Sequence, residues 1–301
     1  MNYYKEIKEI LINNEINKKV KDYSKNKVEL ESYYNVGKML SEAGKHYGEG
    51  IVKEYSIKLK NDINKKYSVR LLYKMIKFFK FITNFQTASG KMPTVSAISW
   101  SHYDELLKID DINIINYYIN QIKKRNLSVR ELRKIIKEKE YERLSEITKE
   151  KLSNNKELSL IDEIKDPILI KSNDIDRNNI KERTLQKLIL DDISNFLHQL
   201  GSGYAFIDNE YKIKVGNTYN YIDILLYNVI YHSYVVVELK VTPLKKEHIG
   251  QIEVYMNYID YNLKDITDNK TIGLIVTKKN NKYITLYSSD NRIKTIEYQI
   301  I

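Results

Sequence analysis

Apolar residues change their spacing once along this chain, and the change divides it in two. Up to about residue 150 they recur every three or four positions, as in VELESYYNVGKMLSEAGK, IVKEYSIKLKNDINKKY and SVRLLYKMIKFFKFI, which lines them along one side of a helix. Beyond about residue 178 the pattern is mixed. KERTLQKLILDDISNFLHQL reads as an amphipathic helix closed by Gly201, and YAFIDNEYKIKVG alternates like a strand. NYIDILLYN and HSYVVVELK follow as two β-rich runs a few residues apart, the signature of a hairpin. KKEHIGQIEVYMNYIDYNL is a second helix, TIGLIVTKK a buried strand, and YITLYSS another strand. The fold class expected is therefore α+β multidomain, with an all-helical domain over 1–150 and a linker over 151–178. A mixed sheet flanked by helices is expected over 179–301. The linker is placed where periodicity fades, Asn and Asp accumulate and Pro167 interrupts the chain. Helix starts are expected at Ser128 with Glu131 and at Ser101 with Asp104, both spaced as capping boxes.

Composition removes several classes. With no Cys there is neither a disulfide framework nor a thiolate zinc site, so any metal must be held by oxygen or His. No run of about 18 apolar residues is present to span a bilayer, and the first residues lack the apolar stretch of a signal peptide, so a cytoplasmic protein with no membrane association is expected. The formal charge of +10 suggests a polyanionic partner, although Lys outnumbers Arg about five to one, as AT-rich coding alone would produce. The distribution of charge is more specific. Residues 1–150 hold 30 basic and 20 acidic side chains against 20 and 20 in the remainder, and residues 51–100 hold 10 against 2. A coding bias acts on both halves alike, so the asymmetry points to a phosphate-facing helical domain.

The chemistry-bearing stretch is VVVELK, Val235 to Lys240. Alternation puts Glu238 and Lys240 on one face of their strand, and the hairpin lays Asp223, in the apolar run YIDILLY, antiparallel beside them. Two close carboxylates repel unless a divalent cation lies between them. Mg²⁺ fits such a gap, with Mn²⁺ as a substitute, because it takes one or two carboxylates and shares its other positions with water and phosphate oxygens. Lys240 would then orient or help deprotonate the attacking water and stabilise charge on the phosphate. A solvated Glu–Lys pair is the bland reading of an isolated E-x-K; the upstream Asp and the flanking helices bearing Glu182 and Gln251 shift the balance.

The order helix with Glu, strand with Asp, strand with E-x-K, helix with Gln resembles the PD-(D/E)XK nuclease superfamily. ERTLQKLILDDISNFLHQLGSGYAFI, YIDILLYN, YVVVELK, GQIEVYMNYID and GLIVTKKN, with SWSHYDELLKIDD and LSVRELRKIIKEKEYERL upstream, resemble successive blocks of its YhcG-type family over roughly residues 30–290. The resemblance implies a restriction-endonuclease-like sheet, metal binding by Asp223 and Glu238, a catalytic role for Lys240, and support from Gln251 and Glu182. Ile222 replaces the proline of the "PD" pair, and Thr277 stands at a fourth-strand position expected to pack and not to react.

For nucleic acid, the helix around Ile51–Lys65 and the helix of SVRLLYKMIKFFKFI resemble a helix-turn-helix. Leu71, Met75, Phe78 and Ile82, with Leu72, Ile76 and Phe79, form its buried side, while Arg70, Lys74 and Lys77 fall at i, i+4 and i+7 on the other. The function expected is a Mg²⁺-dependent DNA endonuclease in restriction, defence or repair, with RNA left open as a substrate. The alternative is a DNA-binding or assembly subunit that is inactive alone. A homodimer, or protein partners in a restriction or defence system, is compatible with either.

Overall fold

The computed structural model describes residues 3–19, 25–48, 50–89, 98–154, 156–172, 180–281, 284 and 290–301. They form two compact units, Met1–Tyr141 and Glu142–Ile301. Among the described residues no helix is long and apolar enough to cross a membrane.

The secondary structure of the first unit's described residues is helical: α1 (Tyr3–Lys19), α2 (Lys25–Tyr47), α3 (Gly50–Asp62), α4 (Val69–Ser89), α5 (Trp100–Leu106), α6 (Ile112–Arg125) and α7 (Val129–Lys137). Its core follows the three-and-four spacing. Leu72, Met75, Phe78 and Ile82 of α4 are fully buried, whereas Leu71, Ile76 and Phe79, expected on the same side, are half-buried, and Phe78 packs against both Trp100 and Tyr103. Ser128 caps α7 as expected, its amide donating to Glu131 Oε2 at 2.8 Å. The cap of α5 is Ser99, with His102 as its partner at 2.9 Å, and not Ser101. Ser99 has the extended backbone a cap needs, and Asp104 is drawn instead into an ion pair with Lys74.

Helices α2 and α4 cross where Gly37 faces Met75. A Cβ at Gly37 would fall on the Met75 carbonyl oxygen, well inside van der Waals contact, and backbone cannot swing aside as a side chain can. Gly37→Ala is therefore expected to destabilise the helical unit by about 1–3 kcal/mol, the usual cost of overpacking. A lowered urea midpoint at unchanged m-value is the signature, and an unchanged midpoint would show that the crossing yields freely.

The second unit comprises α8 (Glu146–Ser153), a 3₁₀ turn (Leu160–Glu163), β1 (Ile168–Ile170), α9 (Glu182–Asp191), α10 (Ile193–Leu200), β2 (Tyr204–Val215), β3 (Thr218–Asn228), β4 (Ser233–Pro243), α11 (Lys246–Asn262), β5 (Ile272–Lys279) and β6 (Ile293–Ile300). Six strands form one sheet in the order β1-β6-β5-β4-β3-β2. The β1/β6, β6/β5 and β5/β4 pairs are parallel, and the β4/β3 and β3/β2 pairs antiparallel. One face is covered by α9 and α10 through Leu185, Ile189, Phe196 and Leu200, the other by α11 through Ile252, Met256 and Ile259. This is the expected mixed sheet flanked by helices.

Three local expectations change. The segment read as a linker, 151–178, holds β1, whose Ile168 and Ile170 pack in the sheet core, so the compact unit begins well before residue 179; residues 155 and 173–179 of that segment lie outside the described residues. The helix read through LQKLILDDISNF is two helices, because Asp192 leaves helical geometry and its carboxylate accepts from Asn195 N at 3.2 Å. The strand read over YITLYSS falls outside the described residues except at Ile284.

Candidate active site

The site exists because two strands stop pairing before they end. The β3/β4 ladder runs from Asn228↔Ser233 to Ile224↔Val237. Both strands continue, β3 back to Thr218 against β2 and β4 on to Pro243 against β5, but no longer against each other. Asp223 and Glu238 are the first residues past the last pair, one on each strand. Continuing that register would place Leu239 opposite Ile222; instead Leu239 N–H donates to Asp223 Oδ2 at 2.7 Å. The carboxylate thus replaces a ladder carbonyl and fixes the opening. Alternation also breaks there, since Ile222 packs on the α11 side of the sheet and Ile224 on the other.

Glu238 is buried with Lys240 beside it, Nζ to Oε2 3.2 Å, their side chains 2% and 12% exposed. Its other oxygen, Oε1, is buried without a hydrogen-bond partner among the described residues. A buried carboxylate oxygen left unmatched carries a desolvation cost of roughly 1–3 kcal/mol or more, so it signals a missing partner. Burial, followed by the Asp223 charge, pushes the Glu238 carboxyl up to about 8 despite Lys240 and the backbone N–H of Asp223. Asp223 is raised too, first by burial and then by Glu182 and Glu210, with Leu239 N–H and Lys240 opposing. Burial disfavours the Lys240 ammonium, but Glu238, Glu182 and Asp223 together outweigh it and its pKa is raised. Two carboxylates that resist ionisation and one orphaned oxygen form a place short of positive charge.

Gln251, on α11, donates from Nε2 to Tyr255 Oη at 3.0 Å, and Tyr255 feels the charges of Glu238, Lys240 and Asp223, which puts this turn of α11 over the site. Glu182 opens α9. One turn on, Gln186 donates to the Asp223 carbonyl at 3.1 Å, holding that face of α9 against the strand opening. Thr277 packs as expected, fully buried with its hydroxyl on the Thr242 carbonyl at 2.7 Å.

Three further residues border the site, of which Gln186 and Glu210 carry no functional signal in the sequence. Gln186 was visible only as i+4 from Glu182. Glu210 stands on β2 opposite Asp223, between the pairs Asn209↔Ile224 and Tyr211↔Ile222, with φ 51, a left-handed conformation uncommon for Glu in a strand. His248, on α11, has its pKa lowered by burial and then by Lys240 and Lys245. Of the expected basic face on α4, Lys74 is ion-paired to Asp104 and Lys77 to Asp110 (3.2 Å), while Arg70 is exposed with no carboxylate partner among the described residues.

Among the described residues no three His, Cys, Asp or Glu gather as a metal cluster. The donor set is two carboxylates, which suits a hard divalent ion that keeps several waters, and the orphaned Glu238 Oε1 is the position such an ion would satisfy.

A mixed sheet with helices on both faces, opened between two central strands at an Asp and an E-x-K, defines the nuclease domain of the PD-(D/E)XK class. Residues 161–300 match the family described as YhcG PDDEXK nuclease domain, and residues 6–143 match the DUF1016 N-terminal domain. The two matches lie end to end over most of the chain, and the second assigns residues 161–300 to the YhcG-type PD-(D/E)XK nuclease domains. A curated relative, "Putative nuclease YhcG" of Escherichia coli (strain K12), is 22% identical over 291 residues, covering 84% of this chain and 77% of that protein. Two solved structures are similar over 43% of this chain: a repair endonuclease from Pyrococcus abyssi (14% identity, TM-score 0.29) and an EndoMS complex with double-stranded DNA (16%, TM-score 0.29). The matched parts span 49% and 48% of those chains.

Proposed function

We propose that this chain is a divalent-metal-dependent DNA endonuclease whose ion, Mg²⁺ or Mn²⁺, is held by Asp223 and Glu238. The observation that carries the reading is the unmatched, buried Oε1 of Glu238 at the point where β3 and β4 part. A bound ion supplies Lewis acidity and a water of lowered pKa. Lys240 supplies a positively charged donor. Its ammonium is favoured by three carboxylates, so it orients the attacking water and stabilises charge on the scissile phosphate, and does not abstract a proton at neutral pH. Gln251 and Glu182 act as positioning residues from the flanking helices, Gln251 through Tyr255 and Glu182 through its field on Asp223 and Lys240. The test is cleavage of duplex, branched and single-stranded DNA, and of RNA, with Mg²⁺ or Mn²⁺. Cleavage that stops with EDTA supports the reading; cleavage indifferent to EDTA sinks it.

The helical unit is assigned the task of holding DNA by its phosphates. Of the three residues expected to form the basic face of α4, the ion pairs of Lys74 and Lys77 leave Arg70 as the available charge. Alanine at Arg70, Lys74 and Lys77 together is expected to flatten the dependence of log affinity on log salt by about 1 and not about 3, as one phosphate contact is lost. Fluorescence anisotropy over a salt series measures this, and a loss near three would mean that phosphate displaces Asp104 and Asp110.

A further inference from the structure

Beyond the β3/β4 opening, β2 and β3 run on as a two-stranded ribbon, paired from Tyr211↔Ile222 to Val215↔Thr218. One face is anchored: Ile213 and Ile222 are buried in the core beneath α11. The other face carries the cross-strand pairs Lys212↔Tyr221 and Lys214↔Tyr219. Both lysines are exposed, and the tyrosines are 52% and 54% exposed. From Tyr211 to Ile222 there is no acidic residue. Lys212 Nζ lies 4.0 Å from the centroid of the Tyr219 ring, so a cation is already seated beside one aromatic face. The ribbon adjoins the site, because Tyr221 is two residues from Asp223 along β3, although the alternation of faces breaks between Ile222 and Ile224.

We infer that this ribbon face grips an unpaired or splayed nucleic-acid strand beside the scissile phosphate. The inference rests on the nuclease reading for the identity of the strand it serves. Residues two apart on a strand are about 6.6 Å apart, so Tyr219 and Tyr221 stand one above the other on β3, next to the opening at Asp223. Successive bases of an unstacked strand can meet successive rings, and Lys212 and Lys214 can meet the intervening phosphates. Ring faces accept any base, which makes the grip indifferent to sequence and dependent on the base being unstacked. A regular duplex keeps its bases stacked and offers the rings nothing. Lysine on β2, an edge strand, also discourages pairing with a second chain, which leaves the face and not the edge as the contact.

The test is equilibrium binding of the full chain, in EDTA so that nothing is cut, to labelled single-stranded, flapped and blunt duplex DNA. Tyr219→Ala and Tyr221→Ala are each expected to weaken binding to single-stranded and flapped DNA by roughly tenfold while leaving the blunt duplex unchanged. Tyr219→Phe and Tyr221→Phe should restore it, since the ring is kept. Lys212→Ala with Lys214→Ala should flatten the salt dependence on the single strand by up to about 1.4, at ~0.7 per phosphate. Unchanged binding in the alanine variants, an equal loss on the blunt duplex, no rescue by Phe, or a loss of self-association in place of DNA binding would overturn the inference. A parallel Mg²⁺ cleavage assay separates the two readings. Cutting with ring-independent binding removes the ribbon and keeps the nuclease; ring-dependent binding without any cutting does the reverse.

Discussion

Replacing Glu238 by Ala or Gln is expected to lower the single-turnover rate of DNA cleavage by about a thousandfold, the scale on which losing one preorganised electrostatic contact acts. Glutamine keeps the volume and removes the charge, so it separates the chemistry from packing. Glu238 is buried, and its removal takes away a desolvated carboxylate with one unmatched oxygen, so circular dichroism and the thermal midpoint should show a retained fold. Lys240→Ala is expected to abolish cleavage just as fully by a different route. Without its ammonium, 3.2 Å away, Glu238 and Asp223 lose the cation that favours their ionised forms, and the site holds protons where it should hold an ion. Cleavage at the normal rate in either variant would place the active site elsewhere.

The second large effect is on stability. Adding Mg²⁺ or Mn²⁺ is expected to stabilise the wild type by about 2.7 kcal/mol at a hundredfold excess over the dissociation constant, raising its thermal midpoint, and to leave that of Glu238→Gln unmoved. The effect depends on pH in a fixed direction. Glu238 ionises near 8 in the fold and near its ordinary value in the unfolded chain. Between about pH 4.5 and 8 the folded chain therefore holds a proton that the unfolded chain has released, and the metal-free protein loses stability as pH rises through that window. Metal must displace the same proton, so its apparent affinity should climb about tenfold per pH unit below 8 and level off above. Calorimetry at several pH values measures both slopes. A metal shift that is flat with pH, or that survives Glu238→Gln, would remove Glu238 from the ion.

Much of this was legible because the relevant signals are local. Alternation along VVVELK put Glu238 and Lys240 side by side, a hairpin-length gap put Asp223 across from them, and the period of α4 gave the centre of its buried face, Leu72, Met75, Phe78 and Ile82, but widened it to Leu71, Ile76 and Phe79, which are half-buried. What escaped depends on longer range. β6 was missed because Ile293, Ile296 and Ile300 are spaced like one side of a helix, and β1 because three apolar residues beside Pro167 carry too little pattern to register. The parting of β3 from β4 is invisible in residue types, since a continued ladder and a broken one use the same letters. The pairing of Lys74 and Lys77 with Asp104 and Asp110 was equally hidden, because it joins positions that only the tertiary fold brings together.

The place of β1 has a practical consequence for anyone cutting this protein into parts. A fragment begun at residue 179 keeps every residue assigned to the chemistry yet sheds the strand that covers β6. It would carry an uncovered parallel border and bare the apolar patch that Ile168 and Ile170 now close, an invitation to intermolecular stacking. Insolubility of such a fragment would report a missing border strand and say nothing against its catalytic competence, whereas one begun before Glu142 keeps its own protection.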